Sequence, residues 1–143
     1  KRLFAIPPED HDAPPDLYGP AASEQTFDRL EAIATDILVA GFPVIVDATF
    51  LERSLRDRFL AIATARGAPG VILSLQADPQ ILRARLAQRQ TDVSDANVAV
   101  LEAQLTRQEA LTSAERQQTL HVDAAQAFDF PGLHQQLRRL IPG

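Results

Sequence analysis

Apolar residues recur along this chain with two periods, and the period changes several times. In "AASEQTFDRLEAIATDILVAG" the residues Phe27, Leu30, Ala34, Ile37 and Leu38 fall at helical spacing. Pro20 suits a first turn and Gly41 the left-handed position just past the last one, so the spacing predicts a helix. The next stretch, "FPVIV", is a short β-branched run without alternation, which predicts a strand buried on both faces and ended by Asp47. "LERSLRDRFLAIATARG" returns to helical spacing with Leu51, Leu55, Phe59 and Ile62 inward and Gly67 at its close.

"GVILSLQA" predicts a second buried strand, and "DPQILRARLAQR" a helix capped by Asp78 with Pro79 at its first position. "QTDVSDA" interrupts the pattern, Ser94 suits a cap, and "NVAVLEAQLTRQE" places Val98, Leu101 and Leu105 on one helical face. "TLHVDA" predicts a third strand and "PGLHQQLRRLI" a last helix. Alternation of this kind predicts an α/β domain with a parallel sheet and crossover helices. Three strands are few for such a sheet, where about five is common. The start, residues 1–19, has prolines at 7, 8, 14 and 15 and reads as an arm or connection.

At 143 residues the chain fits one domain. Fourteen basic against nineteen acidic side chains give a formal net charge of -5, which disfavours a nucleic-acid partner. There is no cysteine, so no disulfide or thiolate metal site; this and the lack of a membrane-span or signal-peptide pattern suggest a cytoplasmic protein. The histidines, at 11, 121 and 134, lack zinc spacing, and no serine-nucleophile elbow occurs.

Ligands of open parallel sheets sit outside the carboxyl ends of the strands. Asp47, Asp78 and Asp123 each follow an apolar run. Asp47 differs in that "DAT" offers a carboxylate and the Thr49 hydroxyl two residues apart, a pair able to hold a Mg²⁺-bound water and a phosphate or substrate oxygen. The plainer reading is that Asp47 or Thr49 caps the next helix. Arg85 and Arg89, four apart, share a helix face and could clamp phosphates, or simply be solvated. No G-x-x-x-x-G-K-[ST] motif is present, and Lys1 is the single lysine.

"TFDRLEAIATDILVAGFPVIVDATFLERSLRDRFLAIA" and "GVILSLQADPQILRARLAQRQTDVSDANVAVLEAQLTRQEAL" resemble the later part of the P-loop kinase/AAA-type ATP-binding proteins related to zeta toxin, gluconate kinase and polynucleotide 5′-kinase. They are most similar to the kinase-like half of bifunctional aminoglycoside phosphotransferase/ATP-binding proteins. The likeness covers about residues 1–125 and rests on the D-A-T segment, an arginine in the helix after it, the D-P helix start and an R-x-x-x-R pair followed by S-D-A.

The resemblance implies a three-layer P-loop NTPase-like parallel sheet that lacks its first strands, spanning residues 20–143 with a lid at about 85–97. It implies an ATP- and Mg²⁺-dependent kinase acting on a small-molecule or end-group hydroxyl. Asp47 and Arg89 would be catalytic, Asp47 meeting the metal through water, with Thr49, Arg56 and Arg85 on substrate or phosphate. "KRLFAI" is similar to the segment after the family's acceptor-activating aspartate, so the Walker loop and that base are expected upstream or on a partner, and the 143 residues alone are expected to be inactive. The alternative is a non-catalytic binding or regulatory module on the same scaffold.

Overall fold

Helices α1 (Pro20–Val39) and α2 (Arg53–Ala65) both end where glycine takes over the backbone. In this computed structural model, which describes residues 20–88 and 95–141, Gly41 has φ 82° and Gly67 φ 63°. The Gly41 N–H donates to Leu38 O (3.0 Å) and the Phe42 N–H to Ile37 O (3.2 Å); Gly67 to Thr64 O (3.1 Å) and Ala68 to Ala63 O (2.9 Å) repeat the scheme. These paired bonds satisfy carbonyls the helix leaves open, and the left-handed φ they require is why both stop signals were readable.

The chain divides into two compact units, Lys1–Ala48 and Thr49–Gly143. In the first, α1 buries Ala22, Phe27 and Ala34, a stripe matching its periodicity. The segment that follows corrects an expectation. "FPVIV" is not a buried strand: residues 42–47 have no regular structure, and Ile45 is 94% exposed. Strand formation depends on a partner for the backbone and a surface for the side chains, and no described strand pairs with this one.

In the second unit, β1 (Ile72–Gln76) pairs in parallel with β2 (Thr119–Asp123), from Ile72 opposite Thr119 to Gln76 opposite Asp123. Bonds from Ile72 N–H to Gln118 O (2.9 Å) and from Ala124 N–H to Gln76 O (2.7 Å) extend the ladder at either end. Among the described residues this is a two-stranded sheet, so the expected parallel, mixed α/β character holds while a three-stranded sheet does not form. Nor is β1 buried on both faces, since Leu75 is 61% exposed.

The crossover from β1 to β2 runs through α3 (Pro79–Gln88), α4 (Asp95–Arg107) and the short α5 (Ser113–Gln117). As expected, the Asp78 carboxylate accepts from the Gln80 N–H (2.7 Å) at the start of α3. Helix α5 went unforeseen; it is only one turn long and opens with a capping box. The Glu115 N–H donates to Thr112 Oγ1 (3.2 Å) and the Thr112 N–H to Glu115 Oε2 (2.6 Å). The amphipathic α6 (Phe130–Leu140) closes the unit against β2, its start capped by Asp129, which accepts from the Gly132 N–H (3.0 Å). No described helix is long and apolar enough to cross a membrane.

Candidate functional site

The parallel register brings the carboxyl ends of β1 and β2 level, so Asp78 and Asp123 leave the sheet along one rim. Both are engaged by their own turns. Asp123 Oδ1 accepts from the Ala125 N–H (2.8 Å) and Oδ2 from Gln126 Nε2 (2.8 Å), while Asp78 caps α3. Arg85 is exposed on α3 and donates from Nη2 to Ala124 O (2.7 Å), bracing the turn that Asp123 builds. A cavity of about 180 Å³ lies between this rim and α6, lined by His121, Asp123, Gln126, Phe128, Asp129 and Gln136.

Asp47 has a different setting. It is exposed and, among the described residues, makes no hydrogen bond or ion pair. Thr49 is exposed too, and its carbonyl accepts from the Leu51 N–H (2.9 Å). Neither caps α2. The N-cap position belongs to Glu52, and the Arg53 N–H at the first turn donates to the carboxylate of Glu109, far along the chain.

Arg56 is only 4% exposed, and its guanidinium is ringed by acceptors. Nε donates to Glu115 Oε1 (2.5 Å), Nη1 to the carbonyls of Phe50 (3.1 Å) and Leu51 (3.0 Å), and Nη2 to Ala110 O (3.4 Å). All three guanidinium nitrogens thus donate to protein acceptors, one of them a carboxylate. Its partner Glu115 is 2% exposed. The hydrogen bond from Arg56, aided by those from Thr112 and opposed by burial, lowers the Glu115 carboxyl from its ordinary 4.5 to about 2. Glu115 is the residue that sequence reasoning missed, although the T-x-x-E spacing of its capping box was visible.

Further contacts tie the residues just before α2 to the end of α4 and the segment after it: Arg107 pairs with Glu52, and the Glu109 N–H donates to Leu51 O (2.9 Å). Arg83 of α3 pairs with Glu102 of α4 (2.7 Å). Arg89 and residues 89–94 of the lid expected at about 85–97 fall outside the described residues, as does the arm 1–19. The structure thus brings Arg85 to the Asp78 and Asp123 rim and Arg56 to Glu115. No group of three histidine, aspartate or glutamate side chains able to hold a metal occurs among the described residues. A Mg²⁺ ion would therefore find single carboxylates, of which Asp47 is unengaged, rather than a complete protein cage, and Mg²⁺ sites commonly use one or two carboxylates with water and phosphate.

No curated protein and no solved structure matches the chain. A family does match, over residues 1–111, the stretch that contains Asp47, Thr49, Arg56, Arg85 and Arg89 and stops short of Glu115 and β2. With that match covering most of its length, the chain belongs to the AAA domain family of P-loop, nucleotide-binding proteins.

Proposed function

We propose that these residues are the acceptor and lid portion of a Mg-ATP-dependent kinase that phosphorylates a small-molecule or end-group hydroxyl. The observation that carries this reading is the contrast between Asp47 and the acids at the sheet rim. Asp78 and Asp123 are occupied by turn N–H groups, whereas Asp47 stands exposed within the family-matched stretch with no described partner. A carboxylate without a structural task is the one free to act on a ligand.

ATP with Mg²⁺ supplies the phosphoryl group and neutralises its oxygens. Within this chain, Asp47 would hold the ion through water, the Thr49 hydroxyl would bind a substrate or phosphate oxygen, and Arg89 with Arg85 would balance charge on the phosphates. Arg56 serves by holding the loop that follows Thr49. The lysine-bearing phosphate loop is not encoded in the 143 residues, and on this reading it comes from elsewhere in the assembled site.

A second reading, a non-catalytic binding or regulatory module, is favoured by the commitment of Arg56 to Glu115 and to carbonyls. Paired thermal melts with and without millimolar Mg-ATP separate the two, one on the 143 residues and one on the product of the whole gene that encodes them. The kinase reading expects a concentration-dependent rise in the gene product, with the 143 residues unmoved. A gene product that shows no rise and transfers no phosphate supports the module.

A further inference from the structure

The stretch between Asp47 and α2 is short and contains no regular structure, yet its backbone is closely held. The Leu51 carbonyl accepts twice, from Arg56 Nη1 (3.0 Å) and from the Glu109 N–H (2.9 Å). The Phe50 carbonyl accepts from the same Nη1 (3.1 Å), and the Phe50 ring meets Phe59 edge to face at 5.1 Å. On its far side the guanidinium reaches Ala110 O and Glu115 Oε1. A single buried cation thus holds two consecutive carbonyls of the loop in one hand and the segment 110–115 in the other. Glu115 is itself fixed, because its second oxygen accepts from the Thr112 N–H.

We infer that Arg56, with Glu115 as its counterion, is a positioning residue: it holds the loop Phe50–Glu52 on the turn between α4 and α5 and so sets where Thr49 is presented. The planar fork is required for this task, because two adjacent carbonyls and a carboxylate lie in different directions from one side chain. Lysine offers a point charge on a flexible stem and cannot hold all of them in one geometry. Glu115 lies beyond residue 111, so the counterion of the clamp is outside the stretch that matches the family, whereas Glu109 and Ala110 are inside it. The clamp rests on the contacts described; only what Thr49 and Asp47 then do depends on the proposed function.

The test is amide hydrogen exchange by NMR on the full 143-residue chain, comparing wild type with Arg56→Lys and Glu115→Gln. Positioning expects the Leu51, Arg53 and Glu109 amides of Arg56→Lys to exchange roughly tenfold faster, or more, than any rise in the β1–β2 ladder accounts for. The Thr49 methyl resonance should move in the same variant. Glu115→Gln, which keeps an oxygen acceptor but removes the charge, should give the same local pattern to a smaller degree; if Arg56→Lys does not fold, this variant decides. A uniform rise across the unit with Thr49 unmoved overturns the inference and leaves Arg56 as a stability element alone. The two proposals also fail separately. A whole gene product that never transfers phosphate, beside a local exchange pattern, removes the kinase reading and leaves the clamp; active protein with uniform exchange does the reverse.

Discussion

Arg56 and Glu115, 59 residues apart in the chain, form a buried ion pair with Nε and Oε1 at 2.5 Å. Removing one member leaves the other charged and without a partner in a place water does not reach. Arg56→Met is therefore expected to lower unfolding stability by about 3 kcal/mol or more, whereas the double substitution Arg56→Met with Glu115→Leu should recover much of that loss. Urea denaturation of wild type and the two variants checks it, and a double variant no better than the single one would show that the hydrogen bonds to carbonyls matter more than the charges.

The same pair makes stability depend on acid. The folded Glu115 carboxyl titrates at about 2 against an ordinary 4.5, chiefly because Arg56 donates to it. Its stabilising contribution is thus complete above about pH 4.5 and is lost as pH falls towards 2. Wild type should lose more of its urea midpoint between pH 5 and 2.5 than Glu115→Gln does. Equal losses would place the acid sensitivity in other carboxylates.

Asp47→Asn separates chemistry from folding. With no described partner to lose, the thermal midpoint should stay where it is. Phosphoryl transfer by the whole gene product should fall by roughly a hundredfold or more if the carboxylate works as proposed. Asp123→Ala should behave in the opposite way, costing about 1 kcal/mol through its lost turn bonds to Ala125 and Gln126.

Ile45→Lys tests the exposed apolar run. A lysine at a buried strand position would cost several kcal/mol, but at 94% exposure it should change stability by less than about 0.5 kcal/mol. It should also reduce concentration-dependent light scattering, since an uncharged β-branched segment in the open favours association and a lysine opposes it.

What could be read from the sequence follows from how far each determinant reaches. Gly41, Gly67, Asp78 and Pro79 act on their immediate neighbours, and the helix ends they mark lie where local chemistry puts them. "FPVIV" misleads because being a strand is a property of two segments, and its composition says nothing about whether the second is beside it. Arg56 depends on a distant segment in a related way. The family resemblance implies a ligand-binding arginine, whereas the contact the fold gives it is with Glu115, whose only local signature is a capping box on a one-turn helix. Asp47 and Asp123 look alike as acids after apolar runs and are told apart only by which N–H groups come near them.

The pairing of Ile72 with Thr119 has a kinetic consequence. The helices can form from neighbouring residues, but the ladder must wait until the whole crossover through α3, α4 and α5 has been gathered, and closing so long a loop is entropically slow. The sheet is then expected to be completed late, after the folding barrier has been crossed. Substituting Leu120, buried on β2, by alanine should accordingly speed unfolding while leaving the folding rate nearly unchanged, and stopped-flow kinetics would show the reverse if the sheet were the nucleus.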